Sequence, residues 1–262
     1  MKNINSLKKI SKEIKIEAFD MLVRKGGGHF GGSFSCAEIL TSLFFYILKT
    51  KDKFVMSKAH AGVILYSTFF KKKMINKKLL KSYGRENSLL GVHGEHELLK
   101  QVEFSCGSLG HGLSYSCGLA LGYKIRNKKA KIFCLIGDGE MQEGSIWEAL
   151  LFAAHHKLNN LYVILDNNKK QSGGLVKDIL NLEPISKKIS SFNFDFKSCD
   201  GHNIKDIITK IENFKNKNKP KFLIANTIKG KGIKFLETKK DCHYDTLDKK
   251  KIEKFRKGLL YA

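Results

Sequence analysis

The first twenty residues place lysine and glutamate between leucine, isoleucine and phenylalanine at the spacing of a helix with one apolar face. This pattern predicts an amphipathic surface helix that ends at the glycines of residues 26–28. A second helix is predicted over the largely apolar residues 36–48. Ser35 precedes it as a candidate N-cap, and Glu38 follows at the spacing of a capping box.

Short, continuous apolar runs alternate with helical patterns along the rest of the chain. The predicted strands are residues 54–57, 131–136, 161–165 and 221–226. A helix predicted over residues 145–156 joins the second and third strands, and another is predicted through residues 62–70. Such a strand–helix–strand unit requires parallel strands and a right-handed connection. The pattern therefore predicts an α/β fold, with a doubly wound, mostly parallel sheet and helices on both faces.

The chain has 262 residues, of which 42% are hydrophobic, and this is enough for a sizeable core and excludes global disorder. We predict a single domain over residues 1–262. The longest apolar stretch, residues 40–48, is shorter than the roughly 20 residues that cross a bilayer, so we predict no membrane association. The first twenty residues do not resemble a signal peptide. Six scattered cysteines without a C-x-x-C pair favour reduced thiols and a cytoplasmic location.

The formal net charge of +23 would fit a nucleic-acid-binding protein, but the basic residues are nearly all lysine, which argues against this function. Only four of the 48 basic residues are arginine, the side chain that proteins favour for reading bases and gripping phosphate. The lysines are also spread along the whole chain, as in the product of an AT-rich genome. We therefore predict no nucleic-acid partner, although the basic field favours anionic substrates.

Asp138 and Asn168 each follow a predicted strand of the same strand–helix–strand unit. Ligands bind open parallel sheets beyond the carboxyl ends of the strands, so both side chains are expected at one edge. Their oxygen atoms suit Mg²⁺ or Ca²⁺ better than a soft metal. Because Mg²⁺ usually completes its shell with phosphate oxygens and water, the pair predicts a diphosphate as the other ligand.

A glycine-rich loop at residues 107–112 is the candidate phosphate cradle. It opens a segment of helical pattern, whose N-terminus would present free N–H groups and a partial positive charge. Glycines allow the backbone to approach the phosphates closely. A tight turn without a ligand is the alternative explanation of the same residues.

Sequence motifs add a family resemblance. GDGEMQEG at residues 137–144, followed by LDNN at residues 165–168, resembles the signature of thiamine diphosphate enzymes. More narrowly, the chain is similar to the N-terminal, diphosphate-binding half of transketolase. Five further segments resemble that family in order, between about residue 26 and residue 245: GGHFGGSFSCAEIL, MSKAHAGVILYS, VHGE, VEFSCGSLGHGLS and KFLIANTIKGKG.

The resemblance implies a role for each matching residue around the cofactor. Mg²⁺ would be bound by the Asp138 carboxylate, the Asn168 side-chain oxygen and the Lys170 backbone carbonyl. Glu143 matches the glutamate that links the two cofactor sites across the transketolase dimer. The positions that would contact the thiamine diphosphate are Gly107, Ser108, Leu109, Gly110, Gly139, Glu143 and Asn168, together with His60 and His243.

Four histidines are the catalytic candidates. His29, His60 and His93 match histidines that line the cofactor and donor-sugar channel, and His243 is a looser match to a histidine near the diphosphate. Histidine also suits this chemistry independently of the resemblance. Cleavage of a sugar carbon–carbon bond requires proton transfer at hydroxyls near neutral pH, and imidazole titrates in that range.

Alternatives exist for each of these histidines. His29 can be a loop residue among glycines, His60 a satisfied core histidine, and His96 competes with His93 for the same match. For His243 the structural and the functional role are equally favoured. A structural role is predicted for three other histidines and a place in the core for the tryptophan; these residues are His155, His156, His202 and Trp147.

Two positions near the proposed metal ligands depart from the transketolase pattern. Where the family often has apolar side chains that pack on the thiazolium ring, this chain has Lys170 and Ser172. A carbonyl ligand tolerates any side chain at Lys170, but the lysine would bring a cation near a cationic ring. The packing of the cofactor or the range of substrates is therefore expected to differ from that of the family.

Full-length transketolases are more than twice as long as this chain, and their second domain supplies the glutamate that contacts the cofactor's pyrimidine. Nothing after residue 226 resembles that pyrimidine-binding domain, and the third, C-terminal domain is absent too. The resemblance therefore implies a split transketolase that transfers a two-carbon ketol unit from a ketose to an aldose. Its active site would be completed by a separate C-terminal subunit in a heterotetramer, with sugars or sugar phosphates as substrates.

Other functions remain open from the sequence. One alternative is half of a different thiamine diphosphate enzyme, such as a deoxyxylulose-phosphate synthase-like protein or a 2-oxo acid dehydrogenase. GEMQEGSIWEAL favours transketolase over both. Another alternative is a non-catalytic binding module that kept the fold and lost the chemistry. The departures from the family pattern at Lys170 and Ser172 are the reason to consider it.

Overall fold

The apolar runs form a central sheet in a computed structural model that describes residues 3–261. Its order is β1-β2-β3-β7-β6, and all neighbouring strands are parallel, which confirms the predicted doubly wound sheet. A two-stranded antiparallel hairpin stands apart from it. The strands are β1 (Lys53–Met56), β2 (Ile132–Gly137), β3 (Leu161–Asn167), β4 (Lys170–Gln171), β5 (Gly174–Leu175), β6 (Asp195–Asp200) and β7 (Lys221–Asn226).

Helices connect these strands and cover both faces of the sheet. The helices are α1 (Ile4–Lys25), α2 (Phe30–Phe34), α3 (Ala37–Ser42), α4 (Gly62–Lys71), α5 (Lys77–Lys81), α6 (His111–Ile125), α7 (Gly144–His155), α8 (Val176–Ile179), α9 (Ile185–Ser191), α10 (Ile204–Glu212), α11 (Lys234–Thr238) and α12 (Lys249–Tyr261). The amphipathic N-terminal helix is confirmed as α1. Its first residues are capped by Asn3, and it ends at Gly26, whose φ of 89° lies in the left-handed region that favours glycine.

Successive side chains of each central strand point into two different cores. In β2, Phe133 and Leu135 pack with α1, α3 and α4, whereas Cys134 and Ile136 pack with α6 and α7 on the opposite face. All four side chains are fully buried. Burial of Phe133, of Leu135 and of Ile136 each stabilises the fold by about 1.5–3 kcal/mol. The sheet is therefore a rigid support for the residues at the carboxyl ends of its strands.

The register brings three strand ends to the same level. Gly137 at the end of β2 pairs with Asp166 of β3, and Asn167 of β3 pairs with Asn226 of β7. The residues that follow β2 and β3 therefore leave the sheet side by side. This edge carries the polar side chains described below.

The predicted capping box at Ser35 and Glu38 is wrong. The residue before α3 is Cys36, and no side chain caps this helix. Ser35 Oγ instead donates to Asp166 Oδ2 at 2.5 Å, while Glu38 is paired with Lys15 at 2.7 Å. The Ser35 hydroxyl therefore binds the buried Asp166 carboxylate and does not cap α3. The predicted helix over residues 36–48 continues past α3 as one π-helical turn, Leu43–Ile47.

Residues 30–47 are long and apolar enough, by length and composition, to cross a membrane, and 78% of the segment is buried. In the fold this segment is divided among α2, α3 and the π-helical turn, all of which contribute to the core. A buried core segment of a globular domain meets the same criterion, so the finding is weak support for a span.

The residues predicted to be structural lie outside the site. His202 bridges two elements, since its Nδ1 lies 3.0 Å from Glu38 Oε2 and its Nε2 accepts from the Ile228 N–H at 2.8 Å. His155 is exposed on α7. Trp147 is only partly buried and packs beside Phe192 at the rim of the core.

Candidate active site

A cavity of about 330 Å³ opens at the carboxyl edge of the sheet. Most of the predicted site residues line it, and the exceptions are Ser108 and Gly110. The predicted residues in its wall are His29, His60, His93, Gly107, Leu109, Asp138, Gly139, Glu143, Asn168, Lys170 and His243. The sequence motifs, which are far apart along the chain, thus meet in one place, whereas the competing His96 is not part of the wall.

The predicted metal ligands lie on two adjacent turns. Asp138 Oδ1 accepts from the Gly139 N–H at 2.9 Å, and Asp138 Oδ2 accepts from the N–H of Lys169. Asn168 Oδ1 accepts from the Lys170 N–H at 3.1 Å. The carboxylate after β2 therefore contacts the turn after β3 directly, as the parallel arrangement predicts.

The Asp138 carboxylate is a poorly solvated negative charge. The residue is 2% exposed. Burial, and next the negative charge of Asp166, raise the pKa of Asp138 to about 6. A cation placed beside the carboxylate would offset both effects, which makes the position favourable for a divalent metal.

A buried ion pair holds Asn168 in place. Lys58 and Asp166 are 1% and 0% exposed, and the Lys58 ammonium contacts the Asp166 carboxylate and donates to Gly32 O at 2.8 Å. Burial alone would raise the pKa of Asp166, but Lys58 lowers it below the usual value. Asn168 Nδ2 donates to Asp166 Oδ2 at 3.3 Å, and this contact fixes which way the amide faces.

Lys170 does not direct its charge at the cavity. Its ammonium donates to Glu237 O at 2.7 Å and Lys239 O at 2.8 Å, at the C-terminal end of α11, where a cation is favoured. The Lys170 carbonyl accepts from Lys229 Nζ at 3.0 Å. The Lys170 ammonium, which the sequence placed near the thiazolium ring of the cofactor, is therefore bound at the end of α11 instead. The Lys170 carbonyl already faces one positive charge, the Lys229 ammonium.

Lys229 is a buried cation that the sequence analysis missed. It lines the cavity, and its Nζ lies 3.3 Å from His243 Nδ1. Burial lowers the pKa of Lys229 to about 8, so the group is still mostly charged at neutral pH. A buried ammonium in this cavity favours an anionic ligand.

The glycine-rich loop is fastened to the strand ends by Glu140, a second residue that the sequence analysis missed. Glu140 Oε1 accepts from the Gly110 N–H at 2.9 Å and from the Ser57 hydroxyl, while Oε2 accepts from the Gly137 N–H at 3.0 Å. Gly110 therefore uses its N–H within the protein, and this N–H is not free to bind a phosphate. A side chain at Gly139 would lie 2.8 Å from the Gln171 Cβ, so only glycine fits there.

The four predicted histidines form one cluster. The ring centroids of His29 and His243 are 5.0 Å apart, as are those of His60 and His243, while His29 lies 5.8 Å from His60 and 6.4 Å from His93. Burial is the largest cause of a pKa near 4 for both His29 and His243, and it holds the pKa of His60 well below its usual value. These three imidazoles are neutral at pH 7 and can exchange protons with a bound hydroxyl.

The cluster predicts a pH dependence of stability. Between pH 6.5 and 4 the unfolded chain protonates His29 and His243 whereas the folded chain does not, so the free energy of unfolding should fall as the pH falls through this range. Urea titrations across these pH values measure it. A His29→Gln/His243→Gln variant should show a flatter profile over the same range, and an unchanged slope would contradict the assignment.

The oxygen atoms of Asp138, Asn168 and the Lys170 carbonyl would suit a divalent cation that is bound together with an anion. Among residues 3–261, no three His, Cys, Asp or Glu side chains are grouped to hold a metal. A cation here would therefore depend on Asp138, Asn168 and the Lys170 carbonyl, with the rest of its shell supplied by an anion and water. Gln171 Oε1 belongs to a residue that lines the same cavity, and it has no hydrogen-bond partner in the described part of the chain.

The cavity lies at the carboxyl edge of a parallel sheet, where open α/β folds bind their ligands. Its carboxylate, amide, buried ammonium and neutral imidazoles are polar groups suited to a phosphate-bearing ligand. Comparison with known proteins gives the family. Residues 6–262 match the family described as "Transketolase, thiamine diphosphate binding domain". The chain belongs to this family.

Relatives of similar length are named as transketolase subunits. The chain is 39% identical over 227 residues to an apulose-4-phosphate transketolase subunit of Actinobacillus succinogenes, and the aligned region covers 83% of this chain and 82% of the relative. It is 36% identical over 228 residues, 83% of each chain, to a 6-deoxy-6-sulfo-D-fructose transketolase subunit of a Clostridium species.

Longer relatives align only in part. The transketolase structure from Campylobacter jejuni superposes with a TM-score of 0.91 at 29% identity, covering 98% of this chain but 43% of that one. Human transketolase is 32% identical over 262 residues, and the aligned region covers 41% of its length. The chain thus spans about two fifths of a full-length transketolase.

Proposed function

We propose that this chain is the diphosphate-binding subunit of a two-subunit transketolase, with residues 1–262 as its single domain. The observation that carries the proposal is the contact of the Asp138 carboxylate with the Asn168–Lys170 turn, in the same cavity as the four histidines. The similarity to relatives named as transketolase subunits supports it. The reaction would transfer a two-carbon unit from a ketose to an aldose.

Each part of the cavity would have a distinct task. Asp138, Asn168 and the Lys170 carbonyl would bind Mg²⁺, and Lys229 would bind the diphosphate. Thiamine diphosphate supplies an electron sink for the two-carbon fragment. His29, His60 and His243, which are neutral at pH 7, would accept protons from sugar hydroxyls and return them, while His93 would position the substrate.

A separate C-terminal subunit would complete the site. Apolar side chains are exposed in segments that adjoin the cavity wall, namely Ile228 after β7, Phe235 in α11 and Tyr244 beside His243. Exposed apolar surface at the rim of a site is typical of a surface that a partner covers. The pyrimidine-binding domain of the partner would lie over this rim and supply the glutamate that contacts the cofactor's pyrimidine.

Reconstitution tests the proposal. The purified chain with thiamine diphosphate, Mg²⁺, a ketose and an aldose is expected to form no transfer product, because the partner would supply the rest of the site. Adding a separately purified C-terminal transketolase subunit from the same organism should restore activity. Coupled enzyme assays of the two proteins, alone and mixed, measure this. Full activity of the chain alone, or inactivity of the mixture, would contradict the proposal.

Self-association would use the outer surface of α6 and α7. Leu151 is 61% exposed on α7, next to the exposed Phe152, and Ile125 is exposed at the end of α6. On α6, a Cβ added at Gly118 or Gly122 would meet open space, so another helix can approach closely. Glu143, which immediately precedes α7, would join the cofactor sites of two such copies within a heterotetramer.

A charge at this surface should weaken the contact. Leu151→Lys is expected to raise the dimer dissociation constant by roughly tenfold or more, because it places an ammonium in an apolar interface. Analytical ultracentrifugation of the chain measures the effect. Leu89→Lys changes an exposed leucine outside α6 and α7 and serves as the control. Equal dissociation constants for the two variants would place the interface elsewhere.

The substrates would be sugars or sugar phosphates, as the relatives' names and the buried cation Lys229 suggest. A cytoplasmic location fits the six cysteines, which are all buried free thiols.

A further inference from the structure

Three side chains outside the lining of the cavity form a polar cluster, and they come from α1, from α3 and from the turn after β6. Glu38 Oε1 lies 2.7 Å from Lys15 Nζ, and Glu38 Oε2 lies 3.0 Å from His202 Nδ1. Burial alone would raise the pKa of Glu38, but Lys15 and His202 lower it to about 2. Glu38 is therefore an ionised hydrogen-bond acceptor near neutral pH.

The ring of His202 uses both of its nitrogen atoms. Nδ1 faces the ionised carboxylate of Glu38 and donates to it, while Nε2 accepts from the Ile228 N–H at 2.8 Å. Only the imidazole that carries its proton on Nδ1 alone can make both bonds. The carboxylate thus selects the tautomer that binds the backbone of Ile228.

The turn after β6 places this ring beside the segment that follows β7. The Gly201 N–H donates to Asn226 O at 2.8 Å, and a Cβ added at Gly201 would lie 2.4 Å from the Thr227 Cγ2. Glycine allows this close approach. The His202 N–H donates to Asp200 Oδ1 at 2.9 Å. The imidazole therefore projects from a fixed turn.

The segment bound by the ring leads directly to Lys229. The N–H groups of Thr227 and Gly230 donate to backbone carbonyls, whereas that of Ile228 donates to the ring of His202. A substitution at position 202 can therefore release the middle of this segment and leave its two ends attached.

Lys229 depends on this backbone for its position. The residue is 2% exposed, and its Nζ donates to Lys170 O at 3.0 Å and lies 3.3 Å from His243 Nδ1. The ammonium stands on a long, flexible side chain whose ordering costs conformational entropy. A fixed backbone keeps this cost low, and a released backbone would let the ammonium leave the cavity.

We propose that His202 is a positioning residue for Lys229. Glu38 fixes the imidazole tautomer, Nε2 holds the Ile228 N–H, and the segment held in this way keeps the Lys229 ammonium in the wall of the cavity. The part that Lys229 would play in binding a diphosphate rests on the proposed function, whereas its placement by His202 does not.

The tautomer is tested in the unsubstituted full-length chain. ¹⁵N NMR of the histidine side chains near neutral pH should show a protonated Nδ1 and an unprotonated Nε2 for His202. A proton on Nε2 would remove the acceptor of the Ile228 N–H and would overturn the proposal. This measurement does not require any variant to fold.

Two substitutions separate the tasks of the two nitrogen atoms. His202→Gln carries its amide farther along the side chain, near the position of Nε2, and keeps an acceptor for the Ile228 N–H. His202→Asn carries its amide nearer the position of Nδ1, where it still donates to Glu38 but does not reach Ile228. Positioning therefore predicts an effect of His202→Asn that His202→Gln rescues.

The accessibility of Lys229 is the first readout. Each folded variant is treated briefly with sulfosuccinimidyl acetate, and mass spectrometry of its peptides gives the acetylated fraction of each lysine. His202→Asn should raise the acetylation of Lys229 by roughly fivefold or more, since local opening exposes the side chain, and His202→Gln by less than about twofold. Lys58, buried against Asp166, should stay as protected as before. No increase at Lys229, or an equal increase at Lys58, would overturn the proposal.

The affinity for inorganic pyrophosphate in Mg²⁺ is the second readout. Calorimetry should show a roughly tenfold loss for His202→Asn and a loss of less than about threefold for His202→Gln, as for other groups that support a ligand. If the unsubstituted chain bound no pyrophosphate, the proposed function would fail, while the acetylation of Lys229 would still decide its placement. Unchanged affinity in a His202→Asn chain with an accessible Lys229 would contradict the link from His202 to the diphosphate.

Discussion

Asp138→Asn is expected to lower the Mg²⁺-dependent affinity for thiamine diphosphate by about 100-fold or more. Changing a group that merely supports a metal ligand costs about 10–100-fold in metal affinity, and this substitution removes the only carboxylate proposed as a ligand. Isothermal titration calorimetry with and without Mg²⁺ measures the loss. The substitution keeps the size of the side chain and removes a buried charge, so the fold should persist.

An exposed carboxylate provides the control. Asp178 lies on α8, away from the lining of the cavity, and Asp178→Asn should leave the affinity unchanged. Circular dichroism and urea unfolding establish that both variants are folded. If folded Asp138→Asn bound the cofactor as tightly as the unsubstituted chain, Asp138 could not be a metal ligand.

Lys58→Met is expected to lower the free energy of unfolding by about 3–5 kcal/mol, because it leaves the Asp166 carboxylate buried without its counter-charge. Asp166 is fully buried, and within residues 3–261 the substitution leaves it only neutral donors, from Ser35, Thr227 and Asn168. The loss should be visible as a lower urea midpoint. A release of Asn168 would accompany it and weaken cofactor binding as well.

The pair of Lys77 and Glu17, whose lysine lies at the surface, gives the matching control. Its lysine is 48% and its glutamate 17% exposed, so solvent screens this pair far more than the pair of Lys58 and Asp166. A pair at the surface contributes about 0–1 kcal/mol, so Lys77→Met should lower the free energy of unfolding much less than Lys58→Met. Asp166→Asn combined with Lys58→Met removes both charges and should recover part of the loss. Equal stability of Lys58→Met and Lys77→Met would contradict a structural role of the buried pair.

Four strands were predictable because burial on both faces requires continuous apolar runs, and β1, β2, β3 and β7 have them. Strand β6 was missed. Its sequence, DFKSCD, is largely polar, since most of its residues are at least partly exposed, whereas β1 at the opposite edge of the sheet is mostly buried. Pairing with β7 gives it a strand conformation that its own side chains do not indicate.

Those site residues were predictable whose role follows from their position directly after a strand. Asp138 and Asn168 come directly after buried strands, and parallel strands bring such residues together. Lys58, Glu140, Asp166 and Lys229 were missed because a charged residue in the sequence resembles a surface residue. Only the packing of distant segments reveals that these four are buried. The Ser35 cap failed for the same reason, since its partner, Asp166, is 131 residues away.

The most direct test of a metal–diphosphate site at the strand ends is a calorimetric titration of the chain with thiamine diphosphate and with thiamine, each in Mg²⁺ and in EDTA. We expect saturable binding of thiamine diphosphate in Mg²⁺, and little or none in EDTA or with thiamine, which has no phosphate to share the metal. Binding that is indifferent to Mg²⁺, or equal for thiamine and its diphosphate, would contradict the account.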